Sequence, residues 1–311
     1  MSLSEFSLIQ RFFTQKKSRN ACTRLGVGDD CALLSIPAGH ELAITTDTMV
    51  ENVHFFADTD PEQLGHKLLT VNLSDLASMG AKPVSVLLAL TIPNVNEPWL
   101  SAFAKGFMDL AERYEVDLVG GDTTSGPLTL TVQALGVVPQ GQALRRSAAK
   151  VGDFICLTGP IGDAGLGLKI NEGYGCADPE PALRQFNKPE PQIDAGLAIR
   201  ECANACIDIS DGLTSDLGHI LKQSQVGACI YWQALPLSDA VQTYIEETGD
   251  WRMPLVAGDD YQLCFTVSPD HIGQLTIDCV KIGVIESEPG LRLNKSGIIE
   301  FLEVKGFEHF S

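Results

Sequence analysis

Hydrophobic and polar positions follow two different periods along this chain, and together they predict both helices and strands. Apolar residues three and four positions apart predict helices over Pro61 to Met79 and Pro98 to Tyr114. Short apolar runs bounded by glycine, proline or aspartate predict strands that alternate with helical segments in both halves of the chain. We therefore expect an α/β fold. Strands are predicted at residues 31–36, 42–46, 84–92, 116–119, 128–138, 153–157, 205–209, 228–232, 261–267, 280–285 and 298–302. Further helices are predicted from Ser4 through Phe13, after Gly159, at 193–204, after the strand at 205–209 as far as Lys222, and at 239–247.

A polar and basic stretch from Pro139 to Lys150 interrupts the apolar pattern near the middle of the chain. A new strand-like run begins directly after it. Such a shift in composition is typical of a boundary between domains. We predict an N-terminal domain at 1–145 and a C-terminal domain at 146–311.

Composition and charge narrow the function classes. The 311 residues carry a formal charge of −18, which argues against nucleic acid or an anionic membrane as a partner, because both need a basic face. No apolar run approaches the roughly 20 residues of a membrane span. The first ten residues lack the basic start of a signal peptide. Nine cysteines without a CxxC pair favour free thiols in a reducing compartment over a zinc site or a disulfide framework. We expect a soluble, cytoplasmic protein.

Five short acidic motifs lie where apolar stretches end, and none of them contains a basic residue. Carboxylates brought together without cations would repel each other and take up protons. If the motifs converge in the fold, a divalent metal is the expected neutraliser, and oxygen-only ligands favour magnesium. The motifs are Gly28-Asp29-Asp30, Thr45-Thr46-Asp47, Asn72-Leu73-Ser74-Asp75-Leu76, Gly120-Gly121-Asp122-Thr123-Thr124 and Asp208-Ile209-Ser210-Asp211-Gly212.

Asp75 lies on the helix predicted over Pro61 to Met79, and its neighbours at helical spacing include Leu68 and Val71. A charge in such an apolar stripe costs several kcal/mol unless it is paired. We interpret Asp75 as a metal ligand. Pairing with a backbone amide or a lysine is the alternative.

Asp30 and Asp47 flank two strands that are predicted to form a hairpin, which would bring both carboxylates to one end of the pair. Thr45 and Thr46 would add oxygen atoms at that end. An ordinary turn is the alternative for the segment around Asp30.

Asp122, Asp208 and Asp211 occupy positions that also have plain structural explanations. Asp122 follows two glycines, which is weak evidence by itself. Asp208 and Asp211 lie at a strand-to-helix junction with Ser210 as a candidate N-cap. Helix capping accounts for one of these acids and leaves the other unexplained.

Neither a P-loop nor the dinucleotide GxGxxG motif is present. The glycine-rich run from Thr158 to Gly165 precedes a predicted helix and either receives a phosphate or serves close backbone packing. Arg145 and Arg146 either reach a phosphate or form a solvated surface pair. His54 follows Asp47 by seven residues and is either a packing residue or a substrate contact.

In their order and spacing, these motifs resemble those of the thiamine-monophosphate kinase family. This family belongs to the superfamily of aminoimidazole-ribonucleotide synthetase, selenophosphate synthetase and a hydrogenase-maturation protein. The resemblance runs from Phe6 to Phe310, and its most specific pieces include Gly28 to Ala32, Val71 to Ala81 and the ending Gly306 to Phe310. It implies an N-terminal sheet domain that pairs into a dimeric barrel, beside a C-terminal α/β domain with a mixed sheet. It therefore implies a homodimer.

The resemblance also implies an activity and a set of residue roles. The activity is transfer of the ATP γ-phosphoryl group to thiamine monophosphate, directly and with several magnesium ions. The implied magnesium ligands are Asp30, Thr45, Thr46, Asp47, Asp75, Asp122, Asp208 and Asp211. The implied nucleotide contacts are Gly121, Asp122, Arg146 and Ser210, and the implied substrate contacts are His54, Asp259 and Phe307.

Two positions depart from the family pattern. Asp259 lies in Ala257-Gly258-Asp259-Asp260-Tyr261-Gln262-Leu263, where the family usually carries Gly-Gly-Glu-Asp-Tyr-Glu-Leu, so the carboxylate is one methylene shorter. Phe307 replaces a tyrosine or tryptophan, which keeps a stacking face but loses the polar tip.

Four other functions are alternatives. Selenophosphate synthesis is disfavoured because Cys22 and Cys31 lack the glycine-rich setting of that group's reactive residue. Hydrogenase maturation is disfavoured because the chain ends in Ser311 rather than cysteine. A non-catalytic magnesium-nucleotide sensor and a metal-dependent phosphohydrolase remain open.

Overall fold

The structure is a computed structural model that describes residues 5–14 and 18–307 and divides the chain into two compact units. Unit 1 comprises Met1–Leu76 and Ala81–Gly141, and unit 2 comprises Ala77–Gly80 and Gln142–Ser311. The predicted cap Ser4 lies outside the described residues. No helix in the described parts of the chain has the length and apolar character that a membrane span requires.

Unit 1 is built around a four-stranded sheet with strand order β3-β6-β4-β5. The β4–β5 pair is parallel and the other two pairs are antiparallel. A separate two-stranded sheet joins β1 to β2. In chain order the elements are α1 (Glu5–Leu8), a π-helical turn (Ile9–Phe13), β1 (Thr23–Leu25), β2 (Leu33–Leu34), β3 (His40–Val50), α2 (Pro61–Ser78), β4 (Lys82–Ile92), α3 (Glu97–Arg113), β5 (Asp117–Ser125) and β6 (Thr129–Pro139).

Helix α3 shows how local sequence sets an element and the face that it buries. The Asn96 side chain accepts a hydrogen bond from the Trp99 amide and so caps the first turn. Leu100, Phe103 and Phe107 follow at helical spacing and are fully buried. The helix is therefore held by the apolar face that the periodicity predicts.

The hairpin predicted between residues 31–36 and 42–46 is wrong. Strand β2 pairs with β1, whereas β3 pairs with β6 along its whole length, from His40 opposite Pro139 to Val50 opposite Thr129. The full-length pairing of β3 with β6 forms in place of the short hairpin that the local turn predicts. No hairpin therefore brings Asp30 to Asp47, and Asp47 lies within β3 rather than after it.

Unit 2 is built around a seven-stranded sheet with order β13-β12-β9-β11-β7-β10-β8. Only the β12–β9 pair is parallel. Both units thus combine helices with a sheet of mixed strand direction, which confirms the predicted α/β class. The elements are β7 (Phe154–Leu157), α4 (Asp163–Asn171), α5 (Glu180–Asn187), α6 (Ile193–Ile199), β8 (Ala203–Asp208), α7 (Leu213–Ser224), β9 (Gly227–Tyr231), α8 (Asp239–Thr248), α9 (Met253–Val256), β10 (Leu263–Val267), β11 (Val280–Glu286), β12 (Gly290–Lys295) and β13 (Ile298–Leu302).

The core of unit 2 lies where α7 packs on the sheet. Leu213, Leu217 and Ile220 of α7 are fully buried and share one cluster with residues of β7, β8 and β10. Buried contacts in this cluster therefore hold both β8 and α7, the two elements that flank the junction. Four elements are absent from the sequence-based prediction, namely β1 in unit 1 and α5, α9 and β12 in unit 2, and α6 ends five residues earlier than predicted.

Candidate active site

In unit 1 the structure brings Thr45 and Asp75 together. The Thr45 hydroxyl on β3 donates a hydrogen bond to Oδ2 of Asp75, which is half-buried on α2. Asp75 therefore accepts a hydrogen bond from a hydroxyl of the neighbouring strand β3. A carboxylate beside a hydroxyl supplies the oxygen ligands that magnesium prefers.

Neighbouring side chains on β3 point to opposite faces of the sheet. Asp47 lies two residues after Thr45 and shares its face, whereas Thr46 lies on the other face and donates its hydroxyl hydrogen to the Val132 carbonyl at 3.0 Å. The Thr45-Thr46-Asp47 motif thus directs two side chains, not three, to the side of Asp75.

Asp122 lies away from this group. It is within β5 rather than in the predicted loop, opposite Ala89 of β4, and strand β3 is three strands away at the other edge of the sheet. Three strand spacings amount to roughly 14 Å along the sheet. In this register Asp122 shares a face with Thr48, not with Asp47.

Gly121 has a structural reason to be glycine. Its φ is +149°, and a Cβ at this position would lie 1.8 Å from the carbonyl oxygen of Leu88 on the neighbouring strand. Only glycine fits this approach of β5 to β4. The position alone therefore does not argue for a nucleotide.

Asp30 and His54 occupy less regular parts of unit 1. Asp30 is exposed in a turn, and its amide donates to the Asp29 carboxylate at 2.9 Å. The Val50 amide donates to Nδ1 of His54 at 3.0 Å, which assigns the ring proton of a neutral His54 to Nε2. Within residues 5–14 and 18–307, no three His, Cys, Asp or Glu side chains are grouped closely enough to hold a metal by themselves.

In unit 2, the loop from Ser210 to Gly212 belongs to the acidic motif that begins at Asp208. Asp208 precedes it at the end of β8 and is only 3% exposed. The amides of Ser210, Asp211 and Gly212 all donate to Oδ2 of Asp216, each at 3.1 Å. The predicted Ser210 cap is wrong: Gly212 is the N-cap residue of α7, and the Asp216 carboxylate satisfies the loop amides instead.

The charges around this loop favour a cation. Burial, together with the neighbouring charges of Asp208 and Asp211, raises the pKa of Asp216 to about 8, although the loop amides act in the opposite sense. A divalent ion beside these carboxylates would relieve their repulsion. The oxygen donors of this motif therefore fit magnesium.

A second loop packs directly on the first. The Asp259 amide donates to the Ser210 carbonyl at 3.0 Å, and a Cβ on Gly258 would lie 2.0 Å from that same oxygen. Asp259 and Tyr261 both have positive φ, +66° and +49°, and the Tyr261 hydroxyl donates to Oδ1 of Asp259 at 2.7 Å. Such backbone strain persists where surrounding contacts fix a side chain in place.

Asp260 is buried completely and serves the start of α4. Its carboxylate accepts the Gly162 amide at 2.7 Å and the Ala164 amide at 3.3 Å. Burial raises the pKa of Asp260 to about 8, and these two amides oppose that rise. The glycine-rich run from Thr158 to Gly165 therefore receives a carboxylate of the protein itself at this helix start.

The last described residue, Phe307, is docked on the same region. Its amide donates to the Asp211 carbonyl at 3.3 Å, and its ring is half exposed. The Thr214 hydroxyl donates to the Lys305 carbonyl at 2.6 Å. Arg146 has an exposed side chain, and its carbonyl accepts the Ser224 hydroxyl at 2.8 Å.

Comparisons with known proteins identify the family of this chain. The family model of the "AIR synthase related protein, N-terminal domain" matches residues 28–138. The thiamine-monophosphate kinase of Escherichia coli K12 is 44% identical over 323 aligned positions, which cover 100% of this chain and 99% of that protein. The chain belongs to the thiamine-monophosphate kinase family.

Solved structures of this family share the fold. The crystal structure of thiamine-monophosphate kinase from Stenotrophomonas maltophilia K279a matches with a TM-score of 0.85 and 39% identity, covering 94% of this chain and 98% of that one. A structure of "AaThiL complexed with AMPPCP and TMP" matches with a TM-score of 0.80 and 28% identity, covering 100% and 99%. The resemblance stated from the motifs is thereby confirmed.

Two residues of this thiamine-monophosphate kinase family member were missed from the sequence. Asp216 lies four residues after Gly212, in the first turn of α7, and an acid at that spacing is the signal that could have identified it. Asp260 lies between Asp259 and Tyr261, and an acid shortly before a fully buried strand, β10, was its signal. Both acids bind backbone amides, which sequence alone does not place.

Proposed function

We propose that this chain transfers the γ-phosphoryl group of ATP to thiamine monophosphate, forming thiamine diphosphate in a magnesium-dependent reaction. The observation that carries the proposal is the Ser210–Gly212 loop. It follows Asp208, contains Asp211, and hydrogen-bonds both Asp259 and Phe307. Full-length similarity to the Escherichia coli enzyme and to the AaThiL complex with AMPPCP and TMP supports it.

The proposed chemistry requires little of a general base. The acceptor is a phosphate oxygen that is already largely anionic near neutral pH, so positioning and electrostatics set the rate of a direct in-line transfer. Bound magnesium would neutralise the negative charge of both substrates. Its proposed ligands are Asp30, Thr45, Thr46, Asp47, Asp75, Asp122, Asp208 and Asp211.

The remaining predicted residues hold the two substrates in this proposal. Gly121, Asp122, Arg146 and Ser210 contact the nucleotide, and His54 contacts the thiamine phosphate. Asp259 and Phe307 suit the cationic thiazolium ring, because a carboxylate and an aromatic face both attract a cation. The Tyr261 hydroxyl donates a hydrogen bond to the Asp259 carboxylate and so fixes its orientation.

One assay tests the proposal against its alternatives. The protein is incubated with ATP, magnesium and thiamine monophosphate, and the products are separated by chromatography. We expect one thiamine diphosphate for each ADP. Free phosphate without thiamine diphosphate would indicate a phosphohydrolase, and no turnover would indicate a nucleotide sensor; either result would contradict the proposal.

We also propose that the chain forms a homodimer through the exposed face of the β3-β6-β4-β5 sheet. Leu42 and Ile44 of β3 point outward on this face and are 39% and 56% exposed. Apolar side chains on a sheet face are usually covered. The family resemblance implies that a second copy provides the cover.

The proposed cellular location is the cytoplasm. All nine cysteines are free, and five of them are buried. Free thiols are typical of proteins from a reducing compartment.

A further inference from the structure

We infer that Asp216 is a positioning residue for the substrate-binding elements of unit 2. It acts through the Ser210–Gly212 loop and touches neither substrate. The inference rests on the proposed function, because it concerns the placement of Asp259 and Phe307, which that function assigns to the thiamine phosphate.

The amides of the loop all point towards one buried atom. Oδ2 of Asp216 accepts hydrogen bonds from Ser210, Asp211 and Gly212, each at 3.1 Å, and Asp216 is 2% exposed. Buried amides need an acceptor inside the protein, and this one oxygen serves all three. Three such bonds to one oxygen fix the orientation of three consecutive peptide groups.

The carbonyls of the same loop point to the two substrate-binding elements. The Ser210 carbonyl accepts the Asp259 amide at 3.0 Å, and the Asp211 carbonyl accepts the Phe307 amide at 3.3 Å. Glycines make both approaches close. A Cβ would lie 2.0 Å from the Ser210 oxygen if placed on Gly258, and 2.6 Å from the Asp211 oxygen if placed on Gly306.

The loop therefore couples the position of the Asp216 side chain to the positions of Asp259 and Phe307. Each peptide group that turns its amide towards Asp216 fixes the direction of the carbonyl bonded to it. The link to Asp259 is reinforced by the Tyr261 amide, which donates to the Ile209 carbonyl at 2.8 Å. Removing the Asp216 carboxylate leaves three inward amides without their acceptor, and rotation of these peptides would release both outward contacts.

Amide hydrogen exchange tests this link without any substrate. We compare the wild-type protein with D216N, which keeps one acceptor oxygen and replaces the other by an amide nitrogen, and with D216A, which loses both oxygens. We expect faster exchange in residues 209–212 and also in 257–261 and 303–307, with D216A affected more than D216N. Exchange confined to 209–212 would contradict the inference.

D117N is the matched control. Asp117 is also 2% exposed and also accepts loop amides, from Arg19 at 2.7 Å and Asn20 at 3.1 Å, but it lies in unit 1 at the start of β5. Its substitution should increase exchange near residues 18–23 and leave 257–261 and 303–307 unchanged. The control therefore separates loss of a buried acceptor from loss of this particular link.

Steady-state kinetics test the functional consequence. At a temperature well below the unfolding transition, D216N should raise KM for thiamine monophosphate by about tenfold, as expected when hydrogen bonds to a buried acceptor are weakened. KM for ATP should rise as well, because the loop contains Ser210, a proposed nucleotide contact. D117N should lower the melting temperature and leave both KM values unchanged.

The outcomes separate the inference from the proposed function. Wild-type KM values in D216N would overturn the positioning role, and D216N suffices for this result if D216A does not fold. A wild-type protein that makes no thiamine diphosphate would overturn the proposed function instead. The exchange measurement then still decides whether Asp216 holds the two elements.

Discussion

At the residue scale, the sequence predicted the apolar surroundings of Asp75, and the structure adds one of its contacts. Its helical spacing indicated a carboxylate in an apolar stripe, and the structure shows that the Thr45 hydroxyl meets it. The spacing could not reveal Thr45 as the partner, because β3 and α2 are brought together only by the tertiary fold. The metal role of Asp75 stays a prediction.

The substitution D75N tests that role. The amide keeps the shape of the side chain but loses the charge, so we expect kcat/KM to fall by at least about 100-fold with the fold intact. Turnover assays and circular dichroism check the two parts. The matched control is E62Q on the same helix, which removes a surface ion pair with Lys105 and should leave turnover nearly unchanged. Near-normal turnover in D75N would refute the ligand role.

Asp117 sets a pH dependence of stability. Burial alone raises the pKa of this carboxyl, but hydrogen bonds from Ser18 and from the amides of Arg19 and Asn20 outweigh burial and lower the pKa below its usual value of 3.8. A pKa that is lower in the folded state stabilises the fold above the unfolded pKa, and this stabilisation is lost as the pH falls through the folded pKa.

Thermal unfolding of the wild-type protein and D117N across pH measures this contribution. The wild-type protein should be more stable by roughly 1–3 kcal/mol near neutral pH, because the variant weakens several bonds to a buried acceptor. The difference should narrow below about pH 4 as Asp117 becomes protonated. A difference that stays constant through the acid range would contradict the account.

At the element scale, periodicity predicted the long helices well and strand partners poorly. Helix α3 has one apolar face, which local spacing records directly, and α2 is buried on most of its surface. The pairing of β3 with β6 joins residues up to nearly 100 positions apart, and the sequence of neither strand identifies the other as its partner. The incorrect hairpin, and with it the meeting of Asp30 and Asp47, follows from that difference.

The junction of β8 with α7 shows a second limit. The motif Asp208 to Gly212 correctly marked a strand-to-helix turn, but the residue that satisfies its amides is Asp216, one turn further along the helix. Ser210 was the plausible cap by composition. The choice between them depends on the path of the loop, which the glycine at 212 with its φ of +112° determines.

The contact between β4 and β5 predicts an effect of G121A. The new Cβ would lie 1.8 Å from the Leu88 oxygen at a φ of +149°, so the strands must separate. We expect the free energy of unfolding to fall by about 2–4 kcal/mol, measured by urea denaturation.

G141A is the control for this variant. Gly141 has a φ of +75°, but a Cβ there would meet nothing within 4 Å. Only the backbone preference is lost, so about 1 kcal/mol is expected. Equal losses in the two variants would contradict the steric account of Gly121.

At the scale of the whole molecule, the exposed sheet face of unit 1 predicts a dimer that a charge should disrupt. Ile44 is 56% exposed on β3, and I44D would place a carboxylate on the proposed interface. Analytical ultracentrifugation should find a dimer for the wild-type protein and mainly monomer for I44D.

V95D controls for the new charge itself. Val95 is 44% exposed in the same unit but lies between β4 and α3, away from that sheet face. This variant should remain dimeric. A monomeric wild-type protein, or a dimer unaffected by I44D, would contradict the proposed interface.

The central claim is that oxygen ligands on motifs distant in the chain hold magnesium, and that magnesium lets this acidic protein bind a polyanionic nucleotide. The most direct measurement is calorimetric titration of the wild-type protein with ATP, in excess magnesium and again in excess chelator. With a formal charge of −18 and no basic residue in the acidic motifs, we expect clear binding in magnesium and at least about a 100-fold loss of affinity in chelator. Equally tight ATP binding in both solutions would contradict the claim.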